Sequence, residues 1–146
     1  MVSFFYFCNQ FLKMRYFIDI SYDGSNYHGW QIQPNAVTVQ HQINLAFSTI
    51  LNEEINVLGA GRTDTGVHAK KMIAHFDTNQ AIDFQKFKYR INGFLKNDIS
   101  LNDIYKVKVD AHARFSATSR TYEYCVSRTK NPFSVNSYFL TKNLDV

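Results

Sequence analysis

Two amphipathic helix patterns, each lying between strand patterns, constrain the fold of this 146-residue chain more than any other feature. The first pattern follows Thr38 and the second follows Asp83, and both residue types are good helix N-caps. After each cap, apolar residues recur every three or four positions, so one face of each helix must be buried. The apolar positions are Val39, Ile43, Ala46, Phe47, Ile50 and Leu51 in the first helix, and Phe84, Phe87, Ile91, Phe94 and Leu95 in the second.

Five segments with alternating or continuous apolar residues are predicted strands: 15–23, 55–58, 70–77, 99–109 and 121–127. The first four of these strands and the two helices follow the order strand–helix–strand–strand–helix–strand, which is typical of the ferredoxin-like arrangement. In that α+β fold, two helices cover one face of an antiparallel sheet. RNA-recognition modules of similar topology bind RNA with the other face. The sequence therefore predicts an α+β, ferredoxin-like (RRM-like) antiparallel sheet with both helices on one face.

Composition narrows the class of protein. Sixteen Lys and Arg against twelve Asp and Glu give a formal charge of +4, which permits a polyanionic partner such as RNA without requiring one. Cys8 and Cys125 form no disulfide or zinc pattern, and the histidines are not spaced as metal ligands, so we predict no metal and a reducing, cytoplasmic setting. The apolar opening, residues 1–12, is too short to cross a membrane and lacks signal-peptide features, so no membrane association is predicted.

The glycine-rich run 59–69 carries the strongest chemical signal. It places Asp64 two residues after Arg62, where a locally extended backbone would direct both side chains into one pocket. An arginine favours the ionised carboxylate, which makes Asp64 a candidate nucleophile or electrostatic anchor. The alternative is that Asp64 is an ordinary turn residue without a chemical role. Asp64-Thr65-Gly66 also matches the aspartic-protease signature, but those enzymes share a proton between two carboxylates, whereas Arg62 favours full ionisation.

Several blocks along the chain together resemble the tRNA pseudouridine synthase A (TruA) family. The blocks are Arg15-Tyr16-Phe17, Ser21-Tyr22-Asp23-Gly24, Tyr27-His28-Gly29-Trp30-Gln31-Ile32-Gln33, Thr38-Val39-Gln40, the run 59–69, Ala74-His75-Phe76, the run 113–124 and Asn131-Pro132-Phe133. The resemblance covers residue 14 onward. We therefore expect 1–13 to be an apolar extension from a misplaced start, and 14–146 to be the N-terminal catalytic-loop domain of a pseudouridine synthase fold, truncated before its C-terminal half.

The resemblance implies a function and roles for individual residues. It implies isomerisation of uridine to pseudouridine in the anticodon stem-loop of tRNA, at positions 38–40, by a homodimer that uses no metal or organic cofactor. Asp64 falls on the family's catalytic aspartate, and Arg62 falls on the arginine that moves the target nucleotide or fills its place. Tyr122 falls on the tyrosine that packs against the uracil. Further predicted substrate contacts are Gly61, Thr63, Thr65, Gly66, His68, Arg114 and Arg120.

A second class of function competes with the enzyme. In the resembling family, the second half completes the pocket around the aspartate, so residues 1–146 alone are expected to show little turnover. The alternative is a non-catalytic RNA-binding module, or an inactive fragment that retains the synthase sequence.

Overall fold

The computed structural model describes residues 13–134 and 137–139, so most of the predicted apolar extension, residues 1–12, lies outside the described residues. In chain order the elements are β1 (Met14–Tyr22), a short 3-10 helix (Gly24–Asn26), α1 (Val39–Leu51), β2 (Leu58–Gly59), β3 (Ala69–Thr78), α2 (Phe84–Phe94), β4 (Ile99–Val107), β5 (Val126–Ser127) and β6 (Tyr138–Phe139). Within this described part, no helix is long and apolar enough to cross a membrane.

Four strands form one antiparallel sheet in the order β2-β3-β1-β4. Central β1 pairs with β3 on one side and β4 on the other, so Ile18 lies opposite Ala74 and opposite Ile104. All three residues are buried, and alternation directs their side chains to the same face of the sheet. The predicted α+β class with an antiparallel sheet is confirmed.

Both helices pack on that same face, and three phenylalanine rings mark where they meet. The ring of Phe76 on β3 lies 5.0 Å from Phe47 of α1 and 6.2 Å from Phe87 of α2, while the two helical rings are 5.1 Å apart. The predicted caps are confirmed: Thr38 Oγ1 accepts from the His41 N–H (3.4 Å) and an Asp83 oxygen accepts from the Lys86 N–H (3.1 Å). Helix periodicity and caps together gave correct helices, because both signals are local.

The predicted strand at 55–58 is wrong in its placement, since the strand is Leu58–Gly59. Ile55 and Val57 are buried, but helix α1 rather than a neighbouring strand satisfies their backbone groups. Ser48 Oγ accepts from the Ile55 N–H (2.9 Å), and Asn44 Oδ1 accepts from the Val57 N–H (2.9 Å). Side chains of α1 therefore replace the ladder that the apolar pattern predicted.

The predicted strand at 121–127 is largely wrong. Only Val126–Ser127 is a strand, and it pairs in parallel with Tyr138–Phe139, outside the main sheet. Tyr122 and Tyr124 are 67% and 78% exposed, so their alternation does not correspond to a buried face. Residues 117–125 form neither helix nor strand.

The sheet face opposite the helices is covered in part by the segment after β4. The ring of His75 on β3 lies 4.5 Å from the ring of His112, and its Nδ1 accepts from the Ala113 N–H (3.2 Å). Beside it, Arg15 forms an ion pair with Asp77 (2.7 Å) and donates to the Ala111 carbonyl (2.9 Å). Polar groups on β1 and β3 thus fasten this segment to the sheet.

Candidate active site

The glycine-rich loop, residues 60–68, connects β2 to β3 and is fastened to the segment that follows β1. The Trp30 N–H donates to the Thr63 carbonyl (3.0 Å), and the Gly66 N–H donates to the Tyr27 carbonyl (3.2 Å). Tyr22 shares a hydrogen bond of 2.8 Å with Thr63 Oγ1, and burial raises the pKa of Tyr22, so the phenol stays protonated. These bonds hold the backbone on both sides of position 64.

His68 ties the end of the loop to the end of β1. Its Nδ1 lies 3.1 Å from the Gly24 backbone nitrogen and 2.9 Å from a carboxylate oxygen of Asp23, so it donates to Asp23 when it carries a proton and accepts from the Gly24 N–H when it does not. Hydrogen bonds from Ser25 are the main reason that the pKa of Asp23 lies below its usual range, so an ionised carboxylate faces the imidazole. His68, which was predicted to contact substrate, thus connects the end of the loop to the end of β1 in the structure.

Two glycines outside the loop permit this close packing. A Cβ at Gly29, where φ is +81°, would lie 2.3 Å from the Thr63 carbonyl oxygen, and a Cβ at Gly24 would lie 2.0 Å from the Val67 carbonyl oxygen. Tyr27, which lies between the two glycines, and Trp30, which follows Gly29, are both buried. The sequence of the segment between β1 and α1 did not reveal that this segment supports Asp64. The spaced glycines and aromatic residues were the available signal.

Asp64 and Arg62 line one shallow depression of about 290 Å³. Its other lining residues are Thr63 and the three residues that follow Trp30: Gln31, Ile32 and Gln33. Both charged side chains are exposed. Among the described residues no ion pair within 4.0 Å joins them, so Arg62 lies beside Asp64 at the depression without contacting its carboxylate. Among the residues that the structure describes, Asp64 is the only carboxylate lining this depression, so they provide no second acid for a protease dyad there.

The other predicted contacts lie around the loop rather than in the depression. Tyr122 and Arg114 are exposed and do not line it. Thr65 is exposed at the loop tip, and Gly66 has φ of +79°, the left-handed conformation that glycine adopts readily. Next to Gly61, the guanidinium of Arg120 donates to the Ala60 carbonyl.

Within the described residues, no group of three or more His, Cys, Asp or Glu side chains is arranged to hold a metal ion. The chemistry available at the depression is that of an accessible carboxylate, a nearby guanidinium and the amides of Gln31 and Gln33. A carboxylate can act as a nucleophile or a base, and a guanidinium suits phosphate or a base plane.

Comparison with known proteins gives a consistent family. A sequence model described as tRNA pseudouridine synthase matches residues 19–116. The tRNA pseudouridine synthase A of Bacteroides thetaiotaomicron is 52% identical over 120 residues, which cover 82% of this chain and 45% of that protein. The enzyme of the same name from Azobacteroides pseudotrichonymphae is 48% identical over 128 residues, covering 88% of this chain and 51% of that protein.

The matching region includes the whole glycine-rich loop and every strand of the main sheet except the start of β1. The chain spans about half the length of the curated relatives it matches. Because the family model covers most of the described residues, and the relatives agree with it, the chain belongs to the tRNA pseudouridine synthase family.

Proposed function

We propose that this chain carries the catalytic loop of a tRNA pseudouridine synthase, an isomerase that converts uridine in tRNA to pseudouridine with Asp64 as the nucleophile. The observation that carries the proposal is the placement of Asp64. Its carboxylate is exposed at a depression while the backbone on either side is held by the Trp30 and Gly66 N–H groups. A nucleophile needs this combination of access and fixed position.

The reaction is an isomerisation in which one bond to the ribose is exchanged for another. The Asp64 carboxylate attacks C1′ of the flipped uridine, and the N1–C1′ bond breaks; a route that begins with removal of a ribose proton would use the same carboxylate. The detached uracil turns and C5 bonds to C1′ as the bond between C1′ and the Asp64 oxygen breaks and releases the carboxylate. C5 then loses its proton and N1 gains one, so no oxidant or reductant is needed. As the resemblance implies, we assign Arg62 to the displaced nucleotide or its phosphate, and Tyr122 to a flat wall for the uracil.

We further propose the finer features that the resemblance implies: a target at positions 38–40 of the anticodon stem-loop, a homodimer, and action in the cytoplasm. We also infer that the domain is ferredoxin-like and forms the N-terminal half of the synthase fold. The antiparallel strand order β2-β3-β1-β4 with both helices on one face supports that assignment.

The test is tritium release from tRNA labelled at uridine C5, measured under single-turnover conditions. Because residues 1–146 alone are expected to show little turnover, the protein in excess is a fusion of residues 14–134 to the matching remainder of the Bacteroides thetaiotaomicron relative. Asp64→Asn is isosteric but neutral, so it should lower the rate at least about 1,000-fold, as expected for loss of a nucleophile. The matched control is Glu54→Gln, which removes one exposed carboxylate at the end of α1, away from the depression.

Equal and measurable rates for the Asp64→Asn fusion and the unmodified fusion would remove Asp64 from the mechanism. Binding of tRNA without tritium release by either form would favour the RNA-binding module over the enzyme.

A further inference from the structure

Residues 117–125 carry Tyr122 and have no regular structure of their own, yet side chains attach this segment to the glycine-rich loop. The Arg120 guanidinium makes the first attachment. Its Nε and Nη2 donate to the Ala60 carbonyl at 3.2 and 2.9 Å, and Nη2 also donates to the Arg114 carbonyl at 3.0 Å. One side chain therefore joins the beginning of the loop to the segment that leads into Tyr122.

The second attachment lies on the other side of Tyr122. Lys70, just after the loop, donates to the carboxylate of Glu123 in an exposed ion pair. Their mutual hydrogen bond raises the pKa of Lys70 and lowers that of Glu123, so both are charged near neutral pH. Ala60 lies at the start of the loop that contains Asp64, and Lys70 lies just after its end. Arg120 and Glu123 lie on either side of Tyr122, so both ends of the loop are attached to the Tyr122 segment.

The way Arg120 is used bears on its role. A guanidinium grips a phosphate best with two parallel N–H groups along one edge. In Arg120 the edge formed by Nε and Nη2 is directed at the Ala60 carbonyl. The same edge cannot grip a phosphate while it holds that carbonyl, so the substrate contact predicted for Arg120 would not be a two-pronged phosphate contact through this edge.

We propose that Arg120 is a positioning residue that fastens the Tyr122 segment to the first arm of the glycine-rich loop, while the Lys70–Glu123 pair fastens it to the second arm. The two attachments hold Tyr122 beside the Asp64 site, although among the described residues no strand pairing joins their two segments. The catalytic role of that site rests on the proposed function, but the attachment of the Tyr122 segment to the loop can be tested without measuring catalysis.

The experiment places 3-fluorotyrosine at position 122 of the full 146-residue chain and records its ¹⁹F resonance. Arg120→Gln and Arg120→Lys should both move the resonance more than halfway to its position in a free peptide of residues 117–127. Lysine keeps the charge but lacks the two-pronged edge, so it should not rescue. Glu123→Gln should cause a partial shift. Arg128→Gln, an arginine change in the same part of the chain, should leave the resonance unmoved, and the thermal midpoint should stay the same in all variants.

A second readout separates attachment from phosphate contact: the salt dependence of tRNA binding by the same variants. If Arg120 contacts a phosphate, Arg120→Gln should reduce the slope of log affinity against log salt by about one and lysine should restore it. The proposal would be overturned if Arg120→Gln reduced the slope, Arg120→Lys restored it, and neither variant moved the ¹⁹F resonance of residue 122. Absence of tRNA binding by every form would contradict the proposed function instead, and the ¹⁹F result would still decide the attachment.

Discussion

Gly29 is one of the residues on which the position of the glycine-rich loop depends. Its φ of +81° lies in the left-handed region, and its missing side chain leaves room for the Thr63 carbonyl, one residue before Asp64. The Val39 N–H also donates to the Gly29 carbonyl (3.2 Å), so this residue links the loop to the start of α1. A side chain here would meet two penalties, backbone strain and a steric clash with backbone atoms.

We expect Gly29→Ala to lower the free energy of unfolding by about 3 kcal/mol or more, since strain and overlap act together. The measurement is urea unfolding followed by the fluorescence of Trp30, the only tryptophan. Two matched controls separate the causes. Gly66→Ala meets φ of +79° but no atom within 4 Å, so it should cost about 1 kcal/mol. Gly93→Ala, in α2 with open space, should be neutral or stabilise by up to about 1 kcal/mol. Equal effects at positions 29 and 66 would show that the clash with Thr63 does not matter.

At the scale of elements, successive side chains of β3 point alternately to the two faces of the sheet and contact different parts of the protein on each. Ala74 and Phe76 enter the core under the helices, while His75 and Asp77 face the segment after β4. His75 is only 1% exposed, and burial, reinforced by Arg15, lowers its pKa to about 4. The hydrogen bond from Arg15 lowers the pKa of Asp77. Both shifts link the stability of this sheet to pH.

Stability should therefore fall as the pH falls below about 6.5. In that range the unfolded chain protonates His75 while the folded chain does not, and between pH 7 and 4.5 this costs roughly 2–3 kcal/mol. Below that range, the contribution of Asp77 is lost as its carboxylate is protonated in the folded state. The measurement is urea unfolding at both pH values for the unmodified chain, for His75→Gln and for His28→Gln, an exposed control. The same pH slope in the His75→Gln variant would contradict the assignment.

The elements also show which sequence signals were sufficient. Both helices were predicted correctly, because the caps at Thr38 and Asp83 and the apolar spacing act within a few residues. The strand at 121–127 was mostly wrong, because alternation at Tyr122 and Tyr124 says nothing about whether a partner strand is available. Strand pairing depends on distant residues, so it is the part of the fold that a local pattern predicts least well.

At the scale of the whole molecule, the depression that Asp64 lines is open. Its volume of about 290 Å³ lies at or below the roughly 300–1,000 Å³ of sites that enclose small ligands, and Asp64 is exposed to water. A solvated carboxylate is a weaker nucleophile, and a detached uracil would not be retained. The chain also spans about half the length of its relatives.

We expect the 146-residue chain to release tritium from C5-labelled tRNA at least about 100-fold more slowly than the full-length Bacteroides thetaiotaomicron relative, since positioning and exclusion of water account for effects of that size or larger. The control is a fusion of residues 14–134 to the matching remainder of that relative, which should regain most of the rate. Comparable rates for the isolated chain and the relative would show that the depression is sufficient without further walls.

The sequence by itself determined the α+β class, both helices and the loop that carries Asp64 and Arg62, because helix caps, apolar spacing and glycine placement act over short distances along the chain. Only the tertiary structure decided what holds that loop: Gly29 and Trp30 against Thr63, His68 beside Asp23, and Arg120 on the Ala60 carbonyl. These contacts join residues about 30 to 60 positions apart, and no local pattern records which distant backbone group a side chain will meet once the sheet has formed.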